Sequence, residues 1–333
     1  MIAGILLILV LSFVPMLLYA LLLWWLDRYE KEPLGLLVVA FLWGAVPSIV
    51  LALIMQVVLD IPVMAISNSN QLTYELLGAS VVAPLTEEGI KAFALLLLLL
   101  FVRKEIDSPI DGLIYGGVVG FGFAAVENVF YLFGAFTEGG LGGIVGLAFL
   151  RAGVFGLNHA MYTAFTGLGV ALSLEIKQPL LKVVSVVVGF AMSVGAHALH
   201  NALATLTSQS GLLPLIAAVV VDWAGVLLLL GVAIAAFVIE RRRIIHYAEA
   251  LAAEGVIPPD EVDVLKSTFH RRLSGLEVLV SGDIRKWRLT RRYFNTVTEE
   301  AFAWHRMTHG DAKAQPRLAK LQQTSRRLRG ELA

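Results

Sequence analysis

The sequence contains no cysteine among its 333 residues. This absence excludes disulfide bonds, thiolate metal sites and a cysteine nucleophile. Charge is scarce as well, because Asp, Glu, Lys and Arg make up 16% of the chain, against roughly a quarter of an ordinary globular domain. Hydrophobic residues reach 58%, and the mean hydropathy is +0.78. These values exclude a disordered chain, a secreted disulfide scaffold and a typical soluble enzyme, and they indicate a polytopic membrane protein.

Long apolar runs recur along the first 240 residues. Each is long enough for a helix to cross a bilayer, which takes about 20 apolar residues. We therefore predict an all-α membrane helix bundle with about seven transmembrane helices. The first run is too long, and its start too poor in basic residues, to be a cleaved signal peptide. The predicted spans cover residues 3–26, 34–59, 72–102, 110–135, 143–174, 181–206 and 212–239.

Basic residues alternate between the two sides of these spans. The loops at 60–71, 136–142 and 207–211 contain no Lys or Arg. By the positive-inside rule, this alternation predicts an N-terminus outside the cell and a C-terminus in the cytoplasm. The basic residues that follow the first, third, fifth and seventh spans are Arg28, Lys31, Arg103, Lys104, Lys177, Lys182, Arg241, Arg242 and Arg243.

The charge also divides the chain into two parts. Residues 1–240 carry 8 Lys and Arg against 15 Asp and Glu, whereas residues 241–333 carry 18 against 11. We predict a transmembrane domain over 1–240 and a basic cytoplasmic C-terminal region over 241–333, with candidate helices at 262–273, 283–305 and 318–332. A basic, aromatic-bearing region of this kind can bind anionic lipid headgroups or a cytoplasmic partner. No motif for nucleic acid is present, and no nucleic-acid partner is expected.

Ionisable residues interrupt the apolar spans. Each charge at mid-bilayer costs roughly 2.5–3.5 kcal/mol on insertion scales. These side chains must therefore face the bundle interior and meet one another, a cavity or an ion. Arg151 can alternatively be an interfacial charge whose side chain extends outward. The residues concerned are Glu87, Glu88, Lys91, Glu127, Arg151, His159, His197, His200 and Asp222.

Four of these residues lie at one predicted depth, one on each of four successive spans. They are Glu88, Glu127, His159 and His197. At a rise of about 1.5 Å per residue, each lies about 22–25 Å from the predicted cytoplasmic end of its span. Because neighbouring spans run in opposite directions, scattered structural residues would not be expected to align in this way. The alignment predicts one polar site nearer the outer face.

Spacing along each helix suggests how the site is organised. Lys91 follows Glu87 by four residues and Glu88 by three, so it can neutralise one carboxylate and leave the other unmatched. A buried, unmatched carboxylate suits a general base, a general acid or a metal ligand. His197 and Asn201 are four residues apart on one face, where they can polarise a carbonyl group or hold an oxyanion. His200, three residues after His197, ranks lower as a possible partner.

Several common catalytic patterns are missing, including His-Glu-x-x-His and Gly-x-Ser-x-Gly. The remaining glutamates and histidines can activate water and stabilise an oxyanion directly. Alternatively, His159, His197 and Glu127 can hold one metal ion, such as zinc, with a position left open for water. Both routes hydrolyse an amide bond. The same carboxylates can instead form an ion or proton relay, as in a transporter or channel.

Four motifs in order on successive spans resemble the PrsW intramembrane proteases, which are similar to the CPBP group that includes the CAAX prenyl-protein proteases. The resemblance covers residues 70–205 and implies site-specific cleavage of membrane-anchored proteins, such as anti-sigma factors, in a bacterial cell membrane. It implies either a metalloprotease or a glutamic-type protease. The long basic tail departs from the short members of the family. The motifs are Glu87-Glu88-x-x-Lys91, Phe123-x-x-x-Glu127-Asn128, Phe155-x-x-x-His159 and His197-x-x-x-Asn201.

The resemblance implies Glu87, Glu88, His159 and His197 as the catalytic set, with Asn201 assisting. The PrsW-like motifs also carry Glu127. We assign Glu88 as the general base and expect Glu87 to pair with Lys91. His159 is expected to orient the water or bind metal, while His197 holds the oxyanion. The full predicted set is Glu87, Glu88, Glu127, His159, His197 and Asn201, supported by Lys91 and Asn128.

The residues also bear on the choice of mechanism. No acid is obviously reserved for each histidine, which is unusual for a metal site. Lys91 and Arg151 bring positive charge near the site, which disfavours a dication. These points favour a metal-independent glutamate mechanism and leave zinc as the alternative. We thus predict an intramembrane endopeptidase, with an ion- or proton-coupled transporter as the competing function.

Overall fold

A computed structural model describes residues 2–26, 31–106, 108–266, 282–308 and 314–332, together with 278, 280, 310 and 312. Within these residues the chain is helical and has no strand, so the predicted all-α class is confirmed. Contacts divide the chain into two compact units. The membrane unit comprises Met1–Leu26 and Glu32–Ala233, and the C-terminal unit consists mainly of Ile234–Ala333.

The membrane unit is built from long apolar helices with short connections. Its π-helical turns lie at Gly44–Ser48, Gly78–Val82 and Phe149–Val154. Such turns often occur at functional sites. The helices are α1 (Ile2–Leu26), α2 (Leu34–Trp43), α3 (Ile49–Ser67), α4 (Gln71–Leu77), α5 (Ala83–Phe101), α6 (Pro109–Ala148), α7 (Asn158–Glu175), α8 (Pro179–Ser210) and α9 (Leu212–Ala253).

Among the described residues, five helical stretches are long and apolar enough to cross a membrane. One of them, Pro109–Glu175, contains two of the predicted spans, and its backbone leaves the helical conformation at Gly140 and again at residues 155–157. The predicted span 72–102 coincides with α4 and α5, a stretch made less apolar by its charged residues. The count of seven spans stays a prediction. The five stretches are Ile2–Leu26, Leu34–Ser67, Pro109–Glu175, Pro179–Ser210 and Leu212–Ala253.

A row of glycines brings α6 and α7 into close contact. Gly112, Gly116 and Gly120 are spaced by four residues and therefore share one face of α6. A Cβ atom added to Gly120 would lie 2.2 Å from the carbonyl oxygen of His159, and one added to Gly116 would lie 2.6 Å from that of Thr163. Small residues at such positions let membrane helices approach backbone to backbone. This approach positions the polar residues of α6 and α7 beside each other.

The C-terminal unit is a small helical bundle. Its helices are α10 (Pro259–Lys266), α11 (Ile284–Thr308) and α12 (Ala314–Leu332), which pack with the end of α9 around an apolar core. The predicted helical tail is thus confirmed, although residues 267–273 of its first candidate helix, like Arg28, lie outside the described residues. The assignment of 241–333 to the cytoplasm, and its lipid or protein partners, stay predictions.

Candidate active site

The predicted site residues meet around one cavity of about 440 Å³ inside the membrane unit. Helix α5 contributes Glu87, α6 contributes Glu127 and Asn128, α7 contributes His159, and α8 contributes His197 and Asn201. Glu88 and Lys91 lie directly behind this lining, where both side chains are fully buried. Other polar side chains that line the cavity are Gln56, Arg151, Asn158, Tyr162, His200 and Thr205.

Glu88 is the best-satisfied carboxylate of the site. Its Oε1 accepts hydrogen bonds from Lys91 Nζ at 2.7 Å and from His197 Nδ1 at 3.0 Å. Its Oε2 accepts from Ser193 Oγ at 2.9 Å and from Thr163 Oγ1 at 3.0 Å. Four donors fill the acceptor capacity of a carboxylate. Glu88 therefore has no free oxygen for water and serves as an anchor that ties α5 to α7 and α8.

Glu87 is the carboxylate that is left open. Its Oε1 accepts from Gln56 Nε2 at 3.1 Å, whereas its Oε2 is buried and has no hydrogen-bond partner in the described part of the chain. Lys91 Nζ lies 3.8 Å from that oxygen but 2.7 Å from Glu88. Lys91 therefore forms the predicted ion pair with Glu87 only at the longer distance, whereas its hydrogen bond goes to Glu88. The reason is that Glu88 faces the donors of α7 and α8, which hold it within reach of the ammonium group.

His197 is oriented by Glu88. Because a carboxylate oxygen can only accept, the Nδ1 atom of His197 carries the hydrogen of their 3.0 Å contact. The other ring nitrogen, Nε2, then presents a lone pair and lies 3.8 Å from Glu87 Oε2. The ring of Tyr162 stacks on the imidazole at 4.7 Å and restricts its rotation. Glu87 and His197 thus direct two acceptors towards one point of the cavity.

His159 is held on both sides, near the start of α7. The ammonium of Lys91 donates to its Nδ1 at 3.1 Å, so Nε2 carries the hydrogen and donates to Glu127 Oε2 at 2.8 Å. Glu127 is also paired with Arg151, whose Nε donates to Asn128 Oδ1 at 2.7 Å. Arg151 therefore lies in the site, and the interpretation of it as an outward-reaching interfacial charge is wrong.

Asn201 lines the cavity one turn after His197. Its Nδ2 donates to the backbone oxygen of Ala79, in the π-helical turn before α5, at 2.7 Å. An amide NH₂ group has two hydrogens, so a second one is available to the cavity. The predicted role of Asn201 and His197 in holding an oxyanion stays a prediction.

The donor set can hold a metal ion with two of the three predicted ligands, His159 and His197. Ligand atoms of Glu87, His159 and His197 lie within 4.8 Å of one another. Glu87 takes the place of Glu127 in this group, because the carboxylate of Glu127 is already tied to its arginine. The unpartnered Oε2 of Glu87 fits a cation, and two imidazoles with one carboxylate form a catalytic zinc set.

Each histidine of this set has a carboxylate of its own. Glu88 holds His197, and Glu127 holds His159. Such partners orient the ring of a metal-binding histidine and raise its basicity. The expectation that no acid is reserved for each histidine is therefore wrong, whereas the expected positive charge of Lys91 and Arg151 does lie at the site.

Two residues that complete the site, Ser193 and Tyr162, were not predicted from the sequence. Ser193 precedes His197 by four residues and therefore shares a helix face with it, a spacing that could have identified it. Tyr162 on α7 had no such signal, because its role arises only from a contact between helices. Gln56 and Thr163, second-rank candidates from the sequence, enter the site through hydrogen bonds to Glu87 and Glu88.

Comparisons with known proteins agree with these motifs. The family model described as "PrsW family intramembrane metalloprotease" matches residues 32–237. The chain is similar to Protease PrsW of Clostridioides difficile (strain 630), with 36% identity over 107 residues, 32% of this chain and 42% of the relative. It is also similar to Protease PrsW of Geobacillus kaustophilus (strain HTA426), with 28% identity over 141 residues, which are 42% of this chain and 55% of the relative. For Protease PrsW of Bacillus subtilis (strain 168), the identity is 30% over 116 residues, which are 34% of this chain and 47% of the relative.

The chain spans about half the length of the curated relatives it matches. No solved structure matches it. The relatives are bacterial, and the helices are apolar and long, so this is a bacterial membrane protein. Every residue of the site described above lies within the range matched by the family model, and the chain belongs to the PrsW family.

Proposed function

We propose that this chain is an intramembrane endopeptidase that hydrolyses a peptide bond in membrane-anchored proteins, anti-sigma factors among them. One observation carries the proposal: the buried Oε2 of Glu87 and the Nε2 lone pair of His197 lie 3.8 Å apart, with no hydrogen-bond donor assigned to the Glu87 oxygen among the described residues. Two acceptors that converge in this way can hold and activate a water molecule. Membership of a protease family supports this function, whereas the comparisons give no support to the transporter alternative.

The roles follow from the contacts. Glu87 accepts a proton from the attacking water while the water oxygen bonds to the carbonyl carbon of the substrate. The proton then passes to the amide nitrogen, which leaves when the C–N bond breaks. The second hydrogen of the Asn201 amide supports the developing oxyanion. Glu88 and Lys91 act as a charged scaffold behind the cavity. The base is thus reassigned from Glu88 to Glu87.

We further propose that the enzyme is metal-dependent. Glu87, His159 and His197 would hold the ion, which would supply Lewis-acid activation of the water and the carbonyl oxygen. In that form Glu87 would be a ligand, and the ion would take over from it the activation of the water. Both ring nitrogens of His159 are already hydrogen-bonded, so the ammonium of Lys91 would give up its place at Nδ1. The support for this type of enzyme is that two further carboxylates each orient one histidine.

The test uses the purified full-length chain in liposomes and a panel of synthetic single-span peptides, with cleavage followed by mass spectrometry. Glu87→Gln is expected to lower kcat by at least about 10²-fold, the usual loss on removing a general base. Glu138→Gln, a matched change at an exposed glutamate of α6, is expected to cleave like the wild type. Unchanged cleavage in Glu87→Gln would overturn the proposed site.

A second measurement separates the two types of chemistry. Elemental analysis is expected to find about one metal ion per chain, as for a single catalytic site. A chelator is expected to abolish cleavage and zinc to restore it. Cleavage that resists chelation but still needs Glu87 would assign the enzyme to the glutamic type. Ion flux through the liposomes that depends on Glu87, without cleavage of any peptide, would instead be the behaviour of a transporter.

A further inference from the structure

A second buried acid–histidine pair lies beside the proposed catalytic residues. Asp222 on α9 is 1% exposed. Its Oδ2 accepts hydrogen bonds from His200 Nδ1 at 2.6 Å and from Asn158 Nδ2 at 2.8 Å. The hydroxyl of Tyr162 lies 3.5 Å from its Oδ1. The mechanism above uses none of these contacts, and an intramembrane carboxylate is costly enough to call for a role.

These contacts determine which nitrogen of His200 is free. Asn158 Nδ2 lies 3.2 Å from His200 Nδ1 as well, but its shorter contact, 2.8 Å, is the bond that it donates to Asp222 Oδ2. Because Asp222 Oδ2 can only accept, Nδ1 of His200 carries the hydrogen of their 2.6 Å contact, and Nε2 then presents a lone pair. The imidazole lines the same cavity as Glu87 and His197, and its side chain is 18% exposed. Within the described residues, Nε2 has no hydrogen-bond partner. It is therefore a fixed acceptor that faces the cavity.

A substrate inside the membrane needs such an acceptor. A peptide bond becomes accessible to water only when its segment leaves the helical conformation, and the backbone N–H groups then lose their partners. An apolar surrounding makes each unpaired N–H costly. His200 lies about 4.5 Å along α8 from His197, which is the length of one or two residues of extended chain. It can thus reach the backbone next to the scissile bond.

We propose that His200 is a substrate-binding residue whose Nε2 accepts a hydrogen bond from a backbone N–H of the substrate, one or two residues from the scissile bond. Asp222 and Asn158 are positioning residues that hold the ring in this orientation. The inference rests on the proposed proteolytic function. Such a hydrogen bond recognises the substrate backbone and is compatible with many side chains, because a backbone N–H is present in every residue type except proline.

Two substitutions of His200 separate substrate binding from a structural role. The amide of glutamine reaches the position of Nε2, so His200→Gln keeps the acceptor and loses the bond to Asp222. The amide of asparagine reaches only Nδ1, so His200→Asn keeps that bond and loses the acceptor. We expect His200→Asn to lower kcat/KM about tenfold through KM, the loss of one hydrogen bond to substrate, and His200→Gln to lower it less. The reverse order would assign a structural role and overturn the inference.

A backbone ester scan of the substrate provides the direct test. The probe is a synthetic single-span peptide that the wild type cleaves and Glu87→Gln does not. Each residue near the scissile bond is replaced in turn by its ester analogue, which removes one N–H. We expect one ester that lowers kcat/KM about tenfold with the wild type and has no effect with His200→Asn. An ester effect that is equal in both enzymes at every position would overturn the inference.

Asp222→Asn supplies a second variant that keeps the shape of the pair. An asparagine amide that donates to Nδ1 would move the ring hydrogen to Nε2, which then no longer accepts. We expect the same insensitivity to the ester as in His200→Asn. His246→Asn and His246→Gln, matched histidine substitutions in the C-terminal unit, are expected to leave cleavage unchanged.

The outcomes also separate this inference from the function on which it rests. If the wild type and Glu87→Gln treat every peptide alike, the proposed function fails and the inference falls with it. If Glu87 is required but no ester effect depends on His200, only the inference is overturned. Size-exclusion elution and Tm of each variant identify losses that result from misfolding. A folded His200→Gln that behaves like the wild type, beside a defective His200→Asn, supports the inference.

Discussion

Glu87 and Glu88 are adjacent in sequence and identical in chemistry, yet the fold gives them different surroundings. Glu88 accepts four hydrogen bonds and is enclosed, whereas Glu87 has an unpartnered oxygen at the cavity. One residue of displacement turns a side chain by about 100° around the helix axis, because 3.6 residues make a turn. The two carboxylates therefore point towards different helices, and only one of them is available to a substrate.

This difference predicts different effects on stability. Glu88→Gln removes the closer ion partner of the fully buried Lys91 ammonium and leaves only Glu87, 3.8 Å away; breaking a buried pair costs about 3–5 kcal/mol. We therefore expect a lower Tm together with lost cleavage. Glu87→Gln removes a charge whose ion partners lie 3.8 Å away and donate no hydrogen bond to it, so its Tm is expected to fall much less while cleavage is lost. Thermal unfolding in detergent measures both, and equal Tm values for the two variants would contradict the assignment.

Glu300 gives a prediction for pH dependence. Burial raises the pKa of this carboxyl, which accepts a hydrogen bond from the Tyr247 hydroxyl at 2.8 Å. A raised pKa in the folded state means that protonation stabilises the C-terminal unit, and that this stability is lost as the pH rises through the folded-state pKa. Glu300→Gln, which stays neutral, is expected to raise the Tm of the unit at pH 8 and to have little effect at pH 4. Trp304, whose ring lies 5.6 Å from that of Tyr247, reports the unfolding by its fluorescence in a background in which the other five tryptophans are replaced by phenylalanine.

At the scale of helices, the contact between α6 and α7 determines the geometry of the site. Helix α6 carries Glu127 and α7 carries His159, and their 2.8 Å hydrogen bond requires the two backbones to approach closely. The glycine row on α6 makes this approach possible. The α6–α7 contact is therefore part of the site, although its glycines take no part in the chemistry.

Gly120→Ala tests this contact. The new Cβ would lie 2.2 Å from the backbone oxygen of His159, so α7 must shift. We expect a lower Tm and a loss of cleavage of about 10²-fold, typical of a displacement of about 1 Å at a catalytic group. Gly134→Ala is the matched control on the same helix, because its Cβ would meet nothing within 4 Å. It is expected to retain cleavage and to be slightly more stable, since alanine favours a helix.

At the scale of the whole molecule, the lack of cysteine makes the proposed orientation directly measurable. A single introduced cysteine is the only thiol of the chain. With the C-terminus in the cytoplasm, an impermeant maleimide on intact cells is expected to label Ser208→Cys, and to label Lys320→Cys only after permeabilisation. Both positions are exposed. The opposite labelling pattern would reverse the orientation and place the proposed site nearer the cytoplasmic face.

The sequence by itself determined the fold class and the identity of the polar helices. Hydrophobic composition and run length require long helices, because backbone groups in lipid must be paired within the segment. Spacing and depth placed Glu127, His159 and His197 on successive helices at one level. These properties are local, since a rise of about 1.5 Å per residue applies to each helix regardless of its neighbours. The motifs that carry the resemblance are likewise properties of single helices.

Only the tertiary structure decided which side chains pair. Lys91 can reach either Glu87 or Glu88 from its own helix, and the donors of α7 and α8 make Glu88 its partner. Arg151 lies in the site because it donates a hydrogen bond to Glu127, a residue 24 positions earlier in the sequence. Such choices depend on how helices are rotated against one another, and helix rotation in a bundle is set by packing against neighbours. One-dimensional spacing contains no information about that rotation, so the different hydrogen bonding of the two glutamates emerged only in three dimensions.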